Sequence, residues 1–325
     1  MAERDDSRAP SDAVPRDRLV VAERHFVADD IVALVLRRPD GGRLPDWTPG
    51  AHIDLVLPDG TTRQYSLHGD PAIATEYRVA VLREPGGHGS ILVHDQLPAG
   101  AHVGFGGPRN NFRLVPSESF AFVAGGIGIT PILPMLRAAT TLGAHWRLIY
   151  LGRSRDRMAF LDELRPFGSR VTVHATDDGG HADLEAWVGP FDASTKVYAC
   201  GPERMTDALL ASSANWRPGW LRIERFAAAD RGLPVRTTPF EVEIAGSDRI
   251  VRIAPGVPVA TALRDAGFDL LTSCSRGVCG TCETRVLAGV PDHRDAILDD
   301  AERADGACFF PCVSGARSDR LVLAL

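Results

Sequence analysis

The chain has 325 residues, a length typical of two or three domains. Hydrophobic residues make up 44% and charged residues 24%, which excludes a disordered, collagen-like or coiled-coil chain. The net charge of −6 argues against a nucleic-acid partner, because such proteins usually carry a basic face. The sequence has no apolar run of about 20 residues, so we expect no membrane-spanning helix.

The N-terminal part combines a polar tail with a series of short strands. Residues 1–16 are charged, contain two prolines and lack periodicity, which predicts a disordered tail. They also lack the apolar core of a secretory signal, so we expect a cytoplasmic protein. From 17 to 117 the chain has β-branched or alternating runs at 18–23, 30–38, 51–57 and 77–83, separated by Gly and Pro turns. This pattern predicts an antiparallel β-barrel.

The middle part, 118–228, alternates strands with helices. Strands are predicted at 120–126, 146–152, 170–174 and 196–202, and helices at 131–141, 158–164 and 204–213. This order predicts an α/β domain with a parallel sheet and helices on both faces. Residues 229–238 are predicted to be a linker. The last part, 239–325, opens with a hairpin (240–244 and 249–253) and a helix over 259–266.

The strongest signal is a group of four cysteines in the last part. Their C-x₄-C-x₂-C…C spacing is typical of a plant-type [2Fe–2S] site, where each iron takes two thiolates. Gly277 and Gly280 allow backbone N–H groups to point at the sulfurs. The candidate iron ligands are Cys274, Cys279, Cys282 and Cys312.

Two alternatives to an iron–sulfur cluster stay open for these cysteines. Structural zinc sites favour paired knuckles, which one dense loop resembles poorly. Disulfides fit poorly with the lack of a secretory signal. Cys308, four residues before Cys312, is expected to be a buried small hydrophobe, and the alternative is a substitute ligand.

With this cysteine spacing behind a barrel and a nucleotide-binding pattern, the chain resembles the phthalate dioxygenase reductase family, which includes vanillate O-demethylase reductase. The resemblance covers everything except the N-terminal tail. It implies an FMN-binding β-barrel domain (17–117), an NAD(P)-binding domain (118–228) and an α+β, β-grasp ferredoxin domain (239–325).

The resemblance implies a flavin site made of two segments of the barrel domain. The first matches the family's R-x-Y-S motif. Its arginine can pair with a phosphate, its tyrosine can border the isoalloxazine ring, and its serine can hydrogen-bond flavin N5. These residues are Arg63, Tyr65, Ser66 and the following Leu67.

The second segment of the predicted flavin site is a glycine-rich loop ahead of a helix. Gly87, Gly89 and Ser90 would present N–H groups and a hydroxyl to the flavin phosphate. Direct contact with a terminal phosphate favours FMN over FAD. His88 departs from the commonest family loop. The alternative is an ordinary turn with Ser90 as a helix cap.

The predicted pyridine nucleotide site uses a G-G-x-G-x-T-P turn and a C-G-P turn, not the common G-x-G-x-x-G fingerprint. In the family, the threonine lies at the flavin–nicotinamide junction and the cysteine borders the nicotinamide. The matching residues here are Gly125, Gly126, Gly128, Thr130, Cys200, Gly201 and Pro202. The alternatives are a strand–helix turn with a threonine cap and a buried structural cysteine.

Three further residues complete the predicted nucleotide site. Phe226 matches an aromatic that covers the flavin ring in relatives, and a core role is the alternative. Arg153 and Ser154 follow the second strand of the middle part, where the adenosine ribose would bind. The sequence places no acidic residue directly after that strand. NADH is favoured by resemblance alone, with NADPH left open, and a solvated loop is the alternative. The resemblance assigns the reacting site to Ser66, Thr130, Cys200 and Phe226.

The resemblance implies an NAD(P)H-dependent reductase component of a Rieske-type oxygenase system. Such systems include aromatic-ring dioxygenases and O-demethylases. NAD(P)H would give a hydride to FMN, and the flavin would pass single electrons to the cluster and on to a terminal oxygenase. A reductase for a cytochrome P450 is the alternative, and a non-enzymatic metal-binding or redox-sensing module is a third. We expect a monomer with neither nucleic-acid nor membrane partners.

Overall fold

The structure is a computed structural model that describes residues 18–226, 234–298 and 300–325. The predicted tail, and residues 229–233 of the predicted linker, lie outside these ranges. Three large sheets occupy residues 18–109, 119–224 and 240–324, and the last stretch also contains a small two-stranded sheet formed by Pro291–Asp292 and Gly315–Ala316. Each is built from one continuous stretch of chain. Among the described residues, no helix has the length and apolar character needed to cross a bilayer.

The first sheet is a six-stranded antiparallel β-barrel in the order β4-β3-β6-β1-β2-β5. An isolated bridge between Leu67 and Val79 joins its two end strands and closes the barrel. The alternating apolar residues that predicted the strands point into one core. Its elements are β1 (Arg18–Ala28), β2 (Ile31–Arg37), β3 (His52–Val56), β4 (Thr62–Ser66), β5 (Glu76–Leu82), α1 (His88–Gln96) and β6 (His102–Arg109).

The second sheet has five parallel strands in the order β11-β10-β7-β8-β9. Its elements are β7 (Ser119–Gly125), α2 (Ile129–Thr141), β8 (His145–Gly152), α3 (Leu161–Leu164), β9 (Val171–Ala175), α4 (Thr176–Gly179), α5 (Leu184–Val188), β10 (Thr195–Cys200), α6 (Glu203–Ser212) and β11 (Leu221–Glu224). Successive side chains of β7 enter different cores. Phe120 and Phe122 pack with α2, whereas Ala121 and Val123 pack with α6. Helices therefore cover both faces, and burial of a side chain such as Phe122 contributes about 1.5–3 kcal/mol.

The third sheet is mixed, in the order β13-β12-β18-β14-β16, with α7 packed against it. The β12–β13 hairpin is antiparallel and β12–β18 is parallel, as the predicted α+β class requires. The elements are β12 (Phe240–Ile244), β13 (Ile250–Ile253), α7 (Val259–Asp265), β14 (Thr284–Ala288), β15 (Pro291–Asp292), α8 (Asp300–Asp305), β16 (Cys308–Phe309), β17 (Gly315–Ala316) and β18 (Arg320–Ala324). The cysteine-rich loop lies between α7 and β14.

One predicted helix, 158–164, is wrong over its first half. Met158 is extended and buried, and Phe160 has a φ of 65°, so α3 begins only at Leu161. The apolar run of Met158, Ala159 and Phe160 packs into the core of the parallel sheet. Tertiary packing therefore overrides the local helical preference.

Candidate functional site

The two predicted flavin segments meet at the end of the barrel. Arg63 on β4 lies across the glycine loop so closely that a Cβ at Gly89 would be 2.7 Å from its Cγ and 2.8 Å from its Nε. The Arg63 guanidinium donates to the carbonyl of Thr62 at 2.9 Å, and within the described part of the chain no ion pair neutralises it. A free cation beside the N-terminus of α1 has the chemistry of a phosphate cradle.

Side chains of the same loop hold its shape. The Ser90 hydroxyl donates to the Gly87 carbonyl at 2.9 Å and accepts from the Glu84 backbone N–H at 3.1 Å. His88 turns away from the glycines, and its Nε2 contacts the Asp59 carboxylate at 2.6 Å. Hydrogen bonds from His88 and Thr61 lower the pKa of Asp59 to about 2. The unusual histidine is therefore anchored to the neighbouring turn.

The remaining residues of the R-x-Y-S-L segment line the inner part of the barrel. Tyr65 is partly buried against the barrel core, and this burial raises the pKa of its hydroxyl. Leu67 is fully buried and forms the closing bridge of the barrel. Only its backbone is therefore available to a bound ligand. Ser66, which ends β4, is buried at the junction with the parallel-sheet domain.

Ser66 belongs to a three-residue cluster at that junction. Its side chain hydrogen-bonds the carboxyl of Glu224, and the Cys200 thiol lies 3.9 Å from Glu224 Oε2. Burial raises the pKa of Glu224 to about 8, partly offset by the bonds from Ser66 and Cys200. Burial also raises the pKa of Cys200 well above its usual value. The cluster therefore holds a neutral carboxyl near neutral pH.

Glu224 was missed in the sequence, although it precedes the predicted Phe226 by two residues. Cys200 and Glu224 are register partners on the parallel strands β10 and β11. The available signal was the position of both residues at the carboxyl ends of neighbouring strands, where ligands of open α/β sheets bind. Phe226 itself is 39% exposed at the end of the described segment.

The two predicted glycine turns of the nucleotide site pack backbone against backbone. A Cβ at Gly128 would lie 2.2 Å from the Cys200 carbonyl oxygen, and one at Gly201 would lie 2.9 Å from the Gly125 Cα. A Cβ at Gly125 would also meet Pro202 at 2.7 Å. The two turns pack this closely only because no side chain fills the contact.

Two other residues of the first turn have clear local roles. Gly126 has a φ of 52°, which favours glycine. The Thr130 side chain is buried at the start of α2, where its hydroxyl donates to the Ile127 carbonyl at 2.9 Å. This bond fixes the turn at the N-terminal end of α2.

The predicted adenosine loop faces acidic residues that follow the next strand. Arg153 is exposed and Ser154 half-buried, and the Arg153 carbonyl accepts from the backbone N–H of Asp177 at 2.9 Å. Arg155 pairs with Asp178 at 3.2 Å. The sequence has no carboxylate directly after β8. The fold places two acidic residues, Asp177 and Asp178, next to this loop, because they follow the neighbouring strand β9. The loop is therefore less positive than its three arginines suggest.

The four predicted cluster thiols form two pairs. Cys274 and Cys279 hydrogen-bond each other, which lowers the pKa of Cys274 to about 6. Cys282 and Cys312 form the second pair, and their bond lowers the pKa of Cys282. Within the described ranges, no group of three or more His, Cys, Asp or Glu side chains is arranged to hold a single metal ion. Two pairs suit two irons with two thiolates each better than one zinc ion.

Backbone donors surround these sulfurs, as expected from the loop glycines. The Arg276 N–H donates to Cys274 Sγ at 3.3 Å, and the Gly277 N–H bonds Cys312. Gly277 and Gly280 have φ values of 69° and 76°. A donor set of thiolates ringed by N–H groups fits a [2Fe–2S] cluster.

Cys308 belongs to neither thiol pair. It is half-buried on β16, where it packs beside Cys282 and Phe310 in a small apolar cluster. Burial raises the pKa of its thiol to about 11. Its packing in this apolar cluster fits the predicted role of a small hydrophobe.

Comparison with known proteins agrees with this arrangement. The family model described as a 2Fe-2S iron-sulfur cluster binding domain matches residues 242–317. The chain is 42% identical to the phenoxybenzoate dioxygenase subunit beta of Ectopseudomonas oleovorans, over 92% of this chain and 94% of that protein. It is 38% identical to the vanillate O-demethylase oxidoreductase of Pseudomonas sp. (strain HR199 / DSM 7063), over 94% and 99%.

Two solved structures are similar over nearly the whole chain. An intact type IV self-sufficient cytochrome P450 monooxygenase matches at 41% identity and a TM-score of 0.89, covering 95% of this chain but 41% of that longer one. Phthalate dioxygenase reductase, a modular structure for electron transfer from pyridine nucleotides to [2Fe–2S], matches at 35% identity and a TM-score of 0.68, covering 96% and 98%. Identity of 35–42% over more than nine-tenths of this chain and of the reductases it matches shows that the protein belongs to the phthalate dioxygenase reductase family, as an NAD(P)H-dependent iron–sulfur flavoprotein oxidoreductase.

Proposed function

We propose that this reductase carries electrons from NADH, through FMN and a [2Fe–2S] cluster, to a Rieske-type terminal oxygenase. One observation carries the proposal: strand β4 of the barrel touches both other domains. Ser66 bonds Glu224 of the parallel-sheet domain, and Gln64 Nε2 donates to Ser273 Oγ, beside the cluster loop, at 3.1 Å. A flavin held on β4 would therefore lie between the nucleotide and the cluster.

The residues of the barrel fit FMN. Arg63 and the loop of Gly87, Gly89 and Ser90 would hold a terminal phosphate, because a cation and a helix N-terminus meet there. When bound, FMN accepts the two electrons of a hydride and releases them singly to the one-electron cluster. Releasing the flavin by heat and treating it with phosphodiesterase tests this assignment, since only FAD changes its fluorescence.

The chain's own residues would position the reacting rings. Ser66, Cys200 and the neutral carboxyl of Glu224 line the barrel–nucleotide junction. Thr130 fixes the turn that would receive the pyrophosphate. Phe226, exposed at the end of β11, is proposed to cover the flavin until nicotinamide enters.

The charge of the adenosine loop favours NADH over NADPH. Arg153 and Ser154 would contact the ribose, yet the neighbouring Arg155 is already paired with Asp178. A 2′-phosphate brings about two negative charges and needs surplus cations. Comparing kcat/KM for the two nucleotides checks this preference.

A Rieske-type oxygenase is the proposed partner because the similar full-length relatives are named as components of dioxygenase and O-demethylase systems. A cytochrome P450 is the second candidate, favoured by the TM-score of 0.89 to the self-sufficient monooxygenase. We further propose a monomeric, cytoplasmic protein, because a reducing compartment suits six cysteines of which none forms a disulfide.

An anaerobic absorbance titration with NADH tests the electron path. Bleaching of both flavin and iron–sulfur bands, with about three electrons taken up per chain, is the expected result. Flavin bleaching alone would contradict transfer to the cluster. The reduced protein is then mixed with a purified Rieske oxygenase or a purified P450, with cytochrome c as an unselective acceptor. Faster reduction of the P450 than of the Rieske protein would reverse the partner assignment.

A further inference from the structure

A buried polar network joins the flavin barrel to the cluster loop. Asp54, on β3, is its centre. One carboxylate oxygen, Oδ1, accepts from Gln64 Nε2 at 2.7 Å and lies 2.6 Å from Arg109 Nη2, while the other, Oδ2, accepts from Ser273 Oγ at 2.8 Å. We call Asp54, Gln64, Arg109 and Ser273 the interdomain network.

The barrel half of the network is set by strand register. Asp54 pairs directly with Gln64 across β3 and β4, and Arg109 ends the neighbouring strand β6. Only 9% of the Asp54 side chain and 24% of the Arg109 side chain are exposed. A buried carboxylate of this kind stays favourable only while its donors remain in place.

The other half of the network reaches both members of one thiol pair. Ser273 directly precedes Cys274, and Arg109 Nε donates to the carbonyl of Cys279 at 3.3 Å. The thiols of Cys274 and Cys279 also interact with each other. The network therefore contacts the part of the cluster loop that would bind one of the two irons.

Close packing beside the network leaves little freedom for the loop. A Cβ at Gly280 would lie 2.6 Å from Asn111 Nδ2, so the loop backbone touches the barrel directly. Two hydrogen bonds and one ion pair on a single buried carboxylate then fix the remaining orientation. In contrast, the hydroxyl of Thr272, the residue before Ser273, forms no hydrogen bond with a barrel residue of the network. It accepts a hydrogen bond from Arg264 Nη1 of its own domain at 3.3 Å.

We propose that the interdomain network positions the Cys274–Cys279 side of the cluster against the flavin, and thereby sets the rate of flavin-to-cluster electron transfer. The inference rests on the proposed function. In this step one electron leaves the reduced flavin and the cluster gains it, with no bond made or broken. The four residues are positioning residues, because they touch the loop and not the reacting groups.

The test compares Ser273→Ala and Asp54→Asn with the matched control Thr272→Ala, which also removes a hydroxyl from the loop. Asparagine has one acceptor oxygen for the two donors that meet at Asp54, and no charge for the Arg109 guanidinium. Stopped-flow absorbance under anaerobic NADH separates flavin reduction from cluster reduction. We expect both network variants to slow the cluster phase about tenfold or more, with an unchanged flavin phase. Thr272→Ala should match the wild type in both phases.

Two further readouts separate positioning from general stability. Hydrogen exchange of residues 273–281 should quicken in Ser273→Ala and not in Thr272→Ala, while iron content stays at two per chain, as for any [2Fe–2S] protein. The double variant Asp54→Asn/Ser273→Ala should be no slower than the more affected single variant, because both substitutions disrupt the same Asp54–Ser273 hydrogen bond.

The outcomes distinguish the two proposals. A wild-type protein whose cluster is not reduced by NADH would overturn the proposed function itself. A wild-type protein that reduces its cluster, with Ser273→Ala equally fast and fully loaded with iron, would overturn the positioning role alone. If Asp54→Asn does not fold, the comparison of Ser273→Ala with Thr272→Ala decides.

Discussion

Replacing Gly128 by alanine tests whether the two glycine turns of the nucleotide site must touch. A Cβ at Gly128 would lie 2.2 Å from the Cys200 carbonyl oxygen and 2.4 Å from its carbonyl carbon, whereas ordinary contact begins at 3.4 Å. The turn and the end of β10 would therefore have to separate by about 1.2 Å. Both sides of the contact are backbone, so no rotamer change relieves it. The Gly128 angles, φ −63° and ψ −5°, suit alanine, so backbone strain adds nothing.

We expect this overpacking to destabilise the nucleotide domain by about 1–3 kcal/mol. The corresponding fall in Tm is about 4 °C for each kcal/mol in a domain of this size. Because Cys200 moves away from Thr130, the KM for NADH should rise while the flavin content stays constant. Differential scanning calorimetry and steady-state reduction of ferricyanide measure the two effects.

The control for this substitution is Gly179→Ala. A Cβ at Gly179 meets no atom within 4 Å, and this glycine does not need a positive φ. It should leave Tm and KM unchanged. The reasoning is refuted if Gly128→Ala has the same Tm and the same KM for NADH as Gly179→Ala.

The other predictions concern the flavin, the carboxyl cluster and the thiols. Arg63→Gln should weaken FMN binding by about 10- to 150-fold, which corresponds to the loss of a charge-assisted hydrogen bond of about 1.5–3 kcal/mol. The control His88→Ala loses only the contact with Asp59 and should bind FMN as tightly as the wild type. Flavin fluorescence on dilution measures both affinities, and equal FMN affinities in the two variants would contradict the phosphate cradle. Burial raises the pKa of the Glu224 carboxyl to about 8. The folded protein therefore keeps a proton that the unfolded chain loses near pH 4.5. The free energy of unfolding should then fall as the pH rises from about 4.5 to about 8. Urea unfolding should show less of this fall in Glu224→Gln, and an identical pH profile would argue against a buried neutral carboxyl. Cys312→Ser should lose the iron–sulfur absorbance and Cys308→Ser should keep it; loss in both would return Cys308 to the ligand set.

Local pattern was enough to predict the elements with strong alternation. The β-branched runs alone were enough to predict strands β2 and β12, and the cysteine spacing identified the candidate iron ligands without any knowledge of the fold. By contrast, β6 contains three glycines and a proline within eight residues, so its strand character comes from pairing with β1 and β3. Such partners are distant in sequence, and local propensity does not report them.

The site residues that escaped sequence reading share this non-local origin. Glu224 becomes informative only beside Cys200, on another strand. Asp54 meets Ser273 across 219 positions. Asp178 neutralises Arg155 only because β9 lies next to β8. In each case the chemistry depends on a neighbour that the fold supplies.

The continuity of each sheet along the chain has a consequence for biosynthesis. During translation the barrel is synthesised first, the parallel sheet second and the cysteine loop last. Domains generally fold as they emerge from the ribosome. The barrel face that carries Asp54 and Arg109 therefore exists before any candidate iron ligand has been translated. The cysteine loop then folds against a face that is already formed, where Asp54 and Arg109 stand in the register that receives Ser273 and Cys279.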